Sequence, residues 1–337
     1  MRGAFYEGVR KIVIRDDFPK PTIQPDEVLI KVKYCGICGS GIESYKMAGM
    51  YSSGIILGHE FSGEIVEVGD KVKKLKIGNR VTANPTLPCS DCYWCNRNQE
   101  NMCKIHNNAL GIFTNGAMAE YINVNADRIH ILSDSISYEE GATIEPLCVG
   151  LYAVQESGIK MGESAAVYGA GTIGLMTINA LKAVGADIYV LELLESKHKL
   201  ALELGADNVF SPKNWKKIHR LTNRRGPDHV FDCVGIGETI TSSIDLVRYG
   251  GHITIVGMNP EPFEIKNFYG MAAGNKSLRG IYGYINDTFG TAINLLEKGK
   301  VNVKPMISKI IKLDEVPEIF EILSKPHDEI KVLVEID

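Results

Sequence analysis

Cys89, Cys92, Cys95 and Cys103 form a C-x2-C-x2-C-x7-C run of fifteen residues. Four thiolates at such spacing can wrap a tetrahedral zinc at about 2.3 Å each, all from one loop. The neighbours Pro88, Ser90, Asp91, Asn96, Asn98 and Asn101 are turn formers without periodicity. A segment of that kind does not fold on its own hydrophobic side chains, so a metal would supply its folding energy. Four thiolates leave no open coordination position, so the role is structural. An iron–sulfur cluster is the chemical alternative. A second constellation is more scattered: Cys35-Gly36-Ile37-Cys38, then Gly58-His59-Glu60, then Glu145-Pro146-Leu147-Cys148. Cys, His and Glu all ligate catalytic zinc. Spacing alone also allows a Cys-x-x-Cys redox pair or an ordinary His-Glu pair at the surface or a helix cap.

A third group is Gly169-Ala170-Gly171-Thr172-Ile173-Gly174, a G-x-G-x-x-G turn. It has an apolar strand before it, a helix and a second strand after it, and an acid, Glu192, eighteen residues past Gly174. In a dinucleotide site the first glycine permits the tight turn, the second admits the pyrophosphate, and the third lets helix pack on strand. The helix N-terminus faces the anion. Glu192 accepts ribose hydroxyls and repels a 2′-phosphate, which selects NAD over NADP.

The elements that must hold these groups change character near residue 150. Before it, Val28, Ile30 and Val32 alternate with polar residues, which predicts a strand. Glu64–Val68 reads the same way and closes on the turn Gly69-Asp70. The basic stretch from Lys71 to Lys76 reads as a solvated turn and strand edge. Strands are then predicted at 165–168, 187–191, 208–210, 229–234, 252–256 and 278–282. Helices are predicted at 172–184, stopped by Gly185, and at 197–204, stopped by Gly205. Six strands with helices between them imply a doubly wound parallel sheet in an α/β protein. The tail, with a helix at 292–298 and a strand at 331–335, is too short for its own domain and is expected to rejoin the N-terminal part.

Composition narrows the classes. The chain has 337 residues, which suggests about two domains. Hydrophobic residues are 45% and charged residues 23%, ordinary for a globular protein with a full core. The net charge of −4 argues against a nucleic-acid partner. The apolar run 165–176 falls short of a membrane span and holds three glycines. The start, MRGAFYEGVRK, lacks the apolar stretch of a signal peptide. Eight cysteines in such a chain read as metal ligands or buried thiols, so a cytoplasmic location is expected.

Together, Cys38-Gly39-Ser40, Gly58-His59-Glu60, the four-cysteine run, Glu145-Pro146-Leu147 and the glycine turn resemble, in order and over essentially the whole chain, the zinc-dependent medium-chain alcohol dehydrogenases, in particular the polyol branch. The resemblance implies a GroES-like, mostly β catalytic domain (1–150 and 286–337) with a structural zinc lobe at 88–104. It implies a Rossmann NAD-binding domain at 151–285, with zinc and nicotinamide in the cleft between the domains. Two zinc ions per chain are implied, one structural and one catalytic. Cys38, His59 and Glu60 would hold the catalytic zinc, with Glu145 a ligand or one water away, and Cys35 would be a buried thiol. Ser40 matches the hydroxyl that passes the substrate proton outward. Lys197 matches a ribose contact, Val256 and Gly257 the backbone beside the nicotinamide carboxamide, and Lys331 a cation near the pyrophosphate. A homodimer or homotetramer is the family expectation.

Two departures from the family pattern stand out. The family usually has Asp after Cys-Gly-Ser, where it orients the metal-binding histidine; this chain has Gly41. Many relatives carry a relay histidine where this chain has Glu43, which is either a replacement base or an exposed carboxylate with no role. The implied reaction is NAD-linked oxidation of a secondary alcohol of a polyol or polyol phosphate, with a galactitol-1-phosphate or sorbitol type of substrate foremost. Butanediol and L-threonine 3-dehydrogenase activities are the alternatives. A dinucleotide-binding protein with a lapsed site is the competing reading that Gly41 raises. Two zincs per chain would favour the enzyme and one would favour the lobe alone.

Overall fold

The computed structural model describes residues 1–103, 108–259 and 261–336. Lys104, the expected end of the lobe, and Asp337, the expected end of the tail, lie outside the described residues. The chain divides into two compact units. The first holds Met1–Glu145, Ile285–Glu297 and Ile307–Asp337; the second holds Pro146–Tyr284 and Lys298–Met306.

In chain order the first unit opens with β1 (Gly3–Gly8), β2 (Lys11–Arg15), β3 (Glu27–Gly36), helix α1 (Gly39–Lys46), β4 (Ile55–Ile56), β5 (Glu60–Val68) and β6 (Arg80–Ala83). There follow β7 (Tyr121–Asn125), β8 (Ile129–Ile131) and α2 (Tyr138–Gly141), and then α3 (Ile144–Ser157), whose first two residues belong to the first unit and the rest to the second. The second unit carries β9 (Ser164–Tyr168), α4 (Thr172–Val184), β10 (Asp187–Leu191), β11 (Asn208–Phe210), β12 (His229–Asp232), β13 (His252–Ile255) and β14 (Ser277–Gly280). The tail adds β15 (Ile307–Lys312) and β16 (Lys331–Glu335) to the first unit.

A seven-stranded sheet of the first unit has the order β15-β16-β3-β5-β6-β8, with β7 also on β3; a smaller sheet has the order β2-β1-β4. The apolar alternation seen at residues 28–32 is the reason β3 is central: Val28, Ile30 and Val32 are fully buried in a core with Phe5, Phe61 and Ile65. β16 runs antiparallel to β3, with Leu333 opposite Gly36 and Val334 opposite Cys35. The tail thus returns to the strand that leads into Cys38.

The second unit is an all-parallel sheet of order β11-β10-β9-β12-β13-β14. Its central strands β9 and β10 are short, buried apolar runs, as expected where both faces are covered, while the edge strand β14 is largely exposed. Helix α4 ends where expected, because Gly185 adopts the left-handed conformation (φ 74°) and its amide caps Leu181 and Lys182 carbonyls. Other boundaries move by a few residues. The expected helix at 197–204 is a 3-10 turn, Glu195–Lys197, followed by a helix over His198–Glu203. The tail helix starts earlier, at Asp287, because buried Phe289 belongs to its inward face along with Ala292. Residues 298–306 leave the tail for the second unit. There the Asn179 side chain donates to the Asn302 carbonyl and accepts from its amide, at 3.1 and 2.9 Å. Among the described residues no helix is long and apolar enough to cross a membrane.

Candidate metal centre and dinucleotide turn

The candidate metal-binding side chains of the first unit come from the start of α1 and the start of β5. β3 stops at Gly36, and Cys38 is the residue that precedes α1. Gly58 has φ +97°, and a Cβ there would lie 2.3 Å from Cys35 Sγ. Only glycine can both take that turn and leave room for the buried Cys35 thiol. The turn delivers His59 and Glu60 at the start of β5. Opposite Glu60 sits Gly36, where a Cβ would come within 2.2 Å of Glu60 Oε2. The carboxylate therefore lies directly over Gly36.

One ligand atom each from Cys38, His59 and Glu60 all lie within 4.8 Å of one another. His59 and Glu60 are 5% and 1% exposed. Glu145, 9% exposed, is in the first turn of α3, and its charge acts on Tyr51 and on Lys331. This donor set fits a divalent cation: a thiol, an imidazole and the Glu60 carboxylate converge in a buried place beside one ammonium, while Glu145 lies outside that group of three and is felt there through its charge. Burial pushes the Cys38 thiol up and Glu60 adds to this, while Lys331 and the Ser40 hydroxyl pull the other way.

That ammonium is Lys331, and its position corrects the expectation. The sequence suggested a cation near the pyrophosphate. In the structure Lys331 is 2% exposed and donates from Nζ to Glu60 Oε2 at 2.6 Å and to the Ile37 carbonyl at 3.0 Å. The pairing of β16 with β3 is the cause, because it lays the first residue of β16 across the end of β3. Burial opposes the Lys331 charge, but Glu60, Cys38 and Glu145 outweigh it and raise its pKa.

Ser40 Oγ lies 3.1 Å from Cys38 Sγ and 3.0 Å from the Tyr51 hydroxyl. Tyr51 Oη in turn lies 3.4 Å from His59 Nδ1. Tyr51, only 8% exposed, was not singled out from sequence; a lone Tyr in a Met-Tyr-Ser-Ser loop gives no periodic or motif signal. Burial pushes its phenol well up, and the charge of Cys38 adds to this. Glu43 is placed elsewhere. Its side chain is 59% exposed and pairs with Lys46 at 3.0 Å, one turn along α1. Of the two readings of Glu43, the geometry favours the exposed carboxylate over the relay base. Cys35 is fully buried, and burial raises its thiol well above the ordinary value.

In the lobe, the Sγ atoms of Cys89, Cys92, Cys95 and Cys103 all lie within 4.8 Å of one another. Backbone amides of Asp91 and Cys92 lower the Cys89 thiol, and the amide of Cys95 leads in bringing Cys92 down to about 6. Burial and the crowding of the other thiols push Cys95 up to about 12. Amides aimed at converging thiols fit a bound cation, because the four thiolates repel one another without one.

The glycine turn of the second unit follows its sequence logic. Gly169 has φ +86°, and a Cβ on Gly174 would fall 1.9 Å from the Gly169 carbonyl oxygen. A Cβ on Gly171 would meet nothing within 4 Å. The protein itself thus gives no reason for glycine at 171, while a ligand backed against the turn does. Thr172 and Ile173 open α4, whose first residues have no side-chain cap. Glu192, 7% exposed at the end of β10, accepts from the Ala170 amide at 2.6 Å and the Leu194 amide at 2.8 Å. It therefore braces the turn as well as presenting its charge there. Lys197 closes the 3-10 turn after β10. The amides of Val256 and Gly257, at the end of β13, are both taken by the Asp232 carbonyl.

A buried thiol, imidazole and carboxylate cluster on one unit and a phosphate-type turn on the other define a metal-dependent oxidoreductase that uses a dinucleotide. Comparison with known proteins agrees. The alcohol dehydrogenase GroES-like domain matches residues 24–134 and the zinc-binding dehydrogenase domain matches 172–298. A D-arabitol-phosphate dehydrogenase of Enterococcus avium is 34% identical, covering 95% of this chain and 92% of its own. The sorbitol dehydrogenase of Bacillus subtilis is also 34% identical, covering 99% and 97%. The crystal structure of 2R,3R-butanediol dehydrogenase from Bacillus subtilis superposes with a TM-score of 0.91 at 32% identity, over 100% of this chain and 99% of that one. The chain belongs to the zinc-dependent medium-chain alcohol dehydrogenase family, in its polyol branch. It is an oxidoreductase acting on CH–OH, with zinc and a nicotinamide dinucleotide as cofactors.

Proposed function

We propose that the protein oxidises a secondary alcohol of a polyol or polyol phosphate to the ketone, with NAD as hydride acceptor. The carbinol carbon loses a hydride to NAD and its hydroxyl loses a proton. The observation that carries the reading is the convergence of Cys38, His59 and Glu60 within 4.8 Å, with the Ser40 hydroxyl 3.1 Å from Cys38 Sγ. Zinc held by Cys38, His59 and Glu60, with Glu145 as the alternative acid, supplies Lewis acidity for the carbinol oxygen. Ser40 relays the hydroxyl proton: its Oγ takes the substrate proton as its own hydroxyl proton passes on to water. Its contact with the ligand Cys38 supports that role. Cys89, Cys92, Cys95 and Cys103 hold a second, structural zinc.

Gly169, Ala170, Gly171, Thr172, Ile173 and Gly174 cradle the pyrophosphate against the start of α4, and Lys197, Val256 and Gly257 contribute at the strand ends. Glu192 selects NAD, since a buried carboxylate at the end of β10 repels a 2′-phosphate. Arabitol phosphate, sorbitol and butanediol, the compounds in the relatives' names, share a secondary alcohol beside another oxygen-bearing carbon, which supports the substrate class. We further infer a cytoplasmic homodimer or homotetramer. Eight free thiols support the compartment, and the open edge strand β14 with exposed Tyr282 supports association.

The test is a screen of NAD and NADP reduction over polyols, polyol phosphates, butanediol and threonine, with and without chelator. Chelator-sensitive, NAD-linked turnover of a polyol or its phosphate is the expected result. Turnover confined to threonine, or indifferent to chelator, contradicts the reading.

A further inference from the structure

We propose that Tyr51 is the residue that orients the metal ligand His59, in the place left by the missing acid at position 41. The inference rests on the metal centre described above. A histidine that binds a metal through one ring nitrogen almost always commits the other to a hydrogen-bonding partner, which fixes its tautomer and ring angle. Among the described residues, the hydrogen bond recorded for His59 Nδ1 is the one with Tyr51 Oη, at 3.4 Å. Carboxylates are the usual partners for this task, and here no carboxylate fills it.

The space around Gly41 explains the exchange. Gly41 is buried in α1, and a Cβ built on it would lie 3.6 Å from Tyr51 Oη and 3.8 Å from Tyr51 Cζ. An acidic side chain at 41 would extend into the volume that the phenol fills. A short acid at 41 and a phenol from the 51 loop are thus alternative occupants of one place beside His59. The phenol is held there on both sides. Its ring packs edge-on to Tyr6 at 6.3 Å, and Tyr6 is itself anchored by donating to the Ser44 carbonyl at 2.6 Å.

The donors also order themselves. With Nε2 given to the metal, Nδ1–H donates to Tyr51 Oη, the Tyr51 hydroxyl donates to Ser40 Oγ, and Ser40 donates to Cys38 Sγ, along contacts of 3.4, 3.0 and 3.1 Å. One run of hydrogen bonds therefore joins two protein ligands of the same ion. Tyr51 is a positioning residue in this scheme, acting through His59.

The test is zinc retention by the whole protein. Zinc is titrated away from purified enzyme with a chromophoric chelator, and the two classes of ion are counted per chain. Tyr51→Phe keeps the ring and removes the hydroxyl. It should weaken one zinc by about 10–100-fold, the usual cost of losing such a partner, and leave the lobe zinc unchanged, which also reports that the chain has folded. Gly41→Asp combined with Tyr51→Ala, which clears the ring from that volume as well, should restore retention to within a few-fold of the parent. The cobalt-substituted protein should show the same order in its visible d–d absorption. Unchanged zinc affinity in Tyr51→Phe overturns the proposal. So does a loss that Gly41→Asp does not repair, because packing then explains it. A parent enzyme that binds zinc only in the lobe, or whose zinc content His59→Ala leaves unaltered, overturns the metal-centre reading itself, and the proposal with it.

Discussion

The two candidate cation sites of this chain are built on opposite plans. In the lobe, four thiols come from fifteen consecutive residues, and local backbone amides point at their sulfurs. In the Cys38 centre, donors come from the residue that precedes α1 and from the start of β5, and a lysine from the last strand sits beside them. The lobe balances its charge only with an ion. The Cys38 centre carries its own cation, Lys331, which offsets one of its carboxylates. The first plan suits an ion that holds a loop together. The second suits an ion whose surroundings are tuned, because Lys331, Ser40 and Tyr51 each adjust a ligand without replacing it.

The largest effect expected from breaking this contrast is in the lobe. Cys95→Ser removes a thiol from a lobe that buries little apolar surface of its own; structural zinc contributes about 10–16 kcal/mol in small zinc-binding peptides. Elemental analysis should fall from two zincs per chain to one, with the lobe becoming sensitive to protease. A variant that keeps two zincs would erase the distinction between the sites.

Next comes Lys331→Met, which leaves Glu60 buried without its counter-charge. Removing one partner of a buried pair costs about 3–5 kcal/mol, read as a lower midpoint in urea. Stability equal to the parent would mean that Glu60 does not depend on Lys331.

A partly buried ion pair in the second unit, Arg248 with Asp228, provides the comparison for that fully buried one. Asp228 is desolvated, but the Ser164 amide and hydroxyl and Arg248 outweigh this and hold its carboxyl at about 2. Because the folded value lies below the ordinary 3.8, the stabilisation is complete above about pH 4 and is lost as pH falls toward 2. Asp228→Asn should cost about 2 kcal/mol at neutral pH, and its acid unfolding limb should be shallower than the parent's. Identical acid limbs would remove Asp228 as the source.

The smallest effect belongs to Glu43→Gln. With Glu43 exposed and paired to Lys46, the pH–rate profile should be unchanged and stability should move by about 0.5 kcal/mol at most. A shifted profile would return Glu43 to the relay.

What could be read from sequence follows the same division. The lobe, the glycine turn and the strands at 165–168 and 187–191 are legible because their partners are near neighbours in the chain or repeat with a fixed period. Cys38, His59 and Glu60 are legible from spacing as types only, since 21 positions of sequence separate Cys38 from His59, and as a group only through the family resemblance. Lys331 was misread because its neighbour, Glu60, is 271 residues away and is reached only through the pairing of β16 with β3. Tyr51 gave no signal, because a hydroxyl that serves a ligand has no motif of its own. The gap it fills was visible as the glycine at 41, but not the residue that fills it.

Anomalous diffraction at the zinc edge tests the central claim most directly. Two peaks per chain are expected, one among Cys89, Cys92, Cys95 and Cys103, and one bounded by Cys38 Sγ and the His59 ring. A single peak in the lobe, or a second one away from Cys38, would contradict the account.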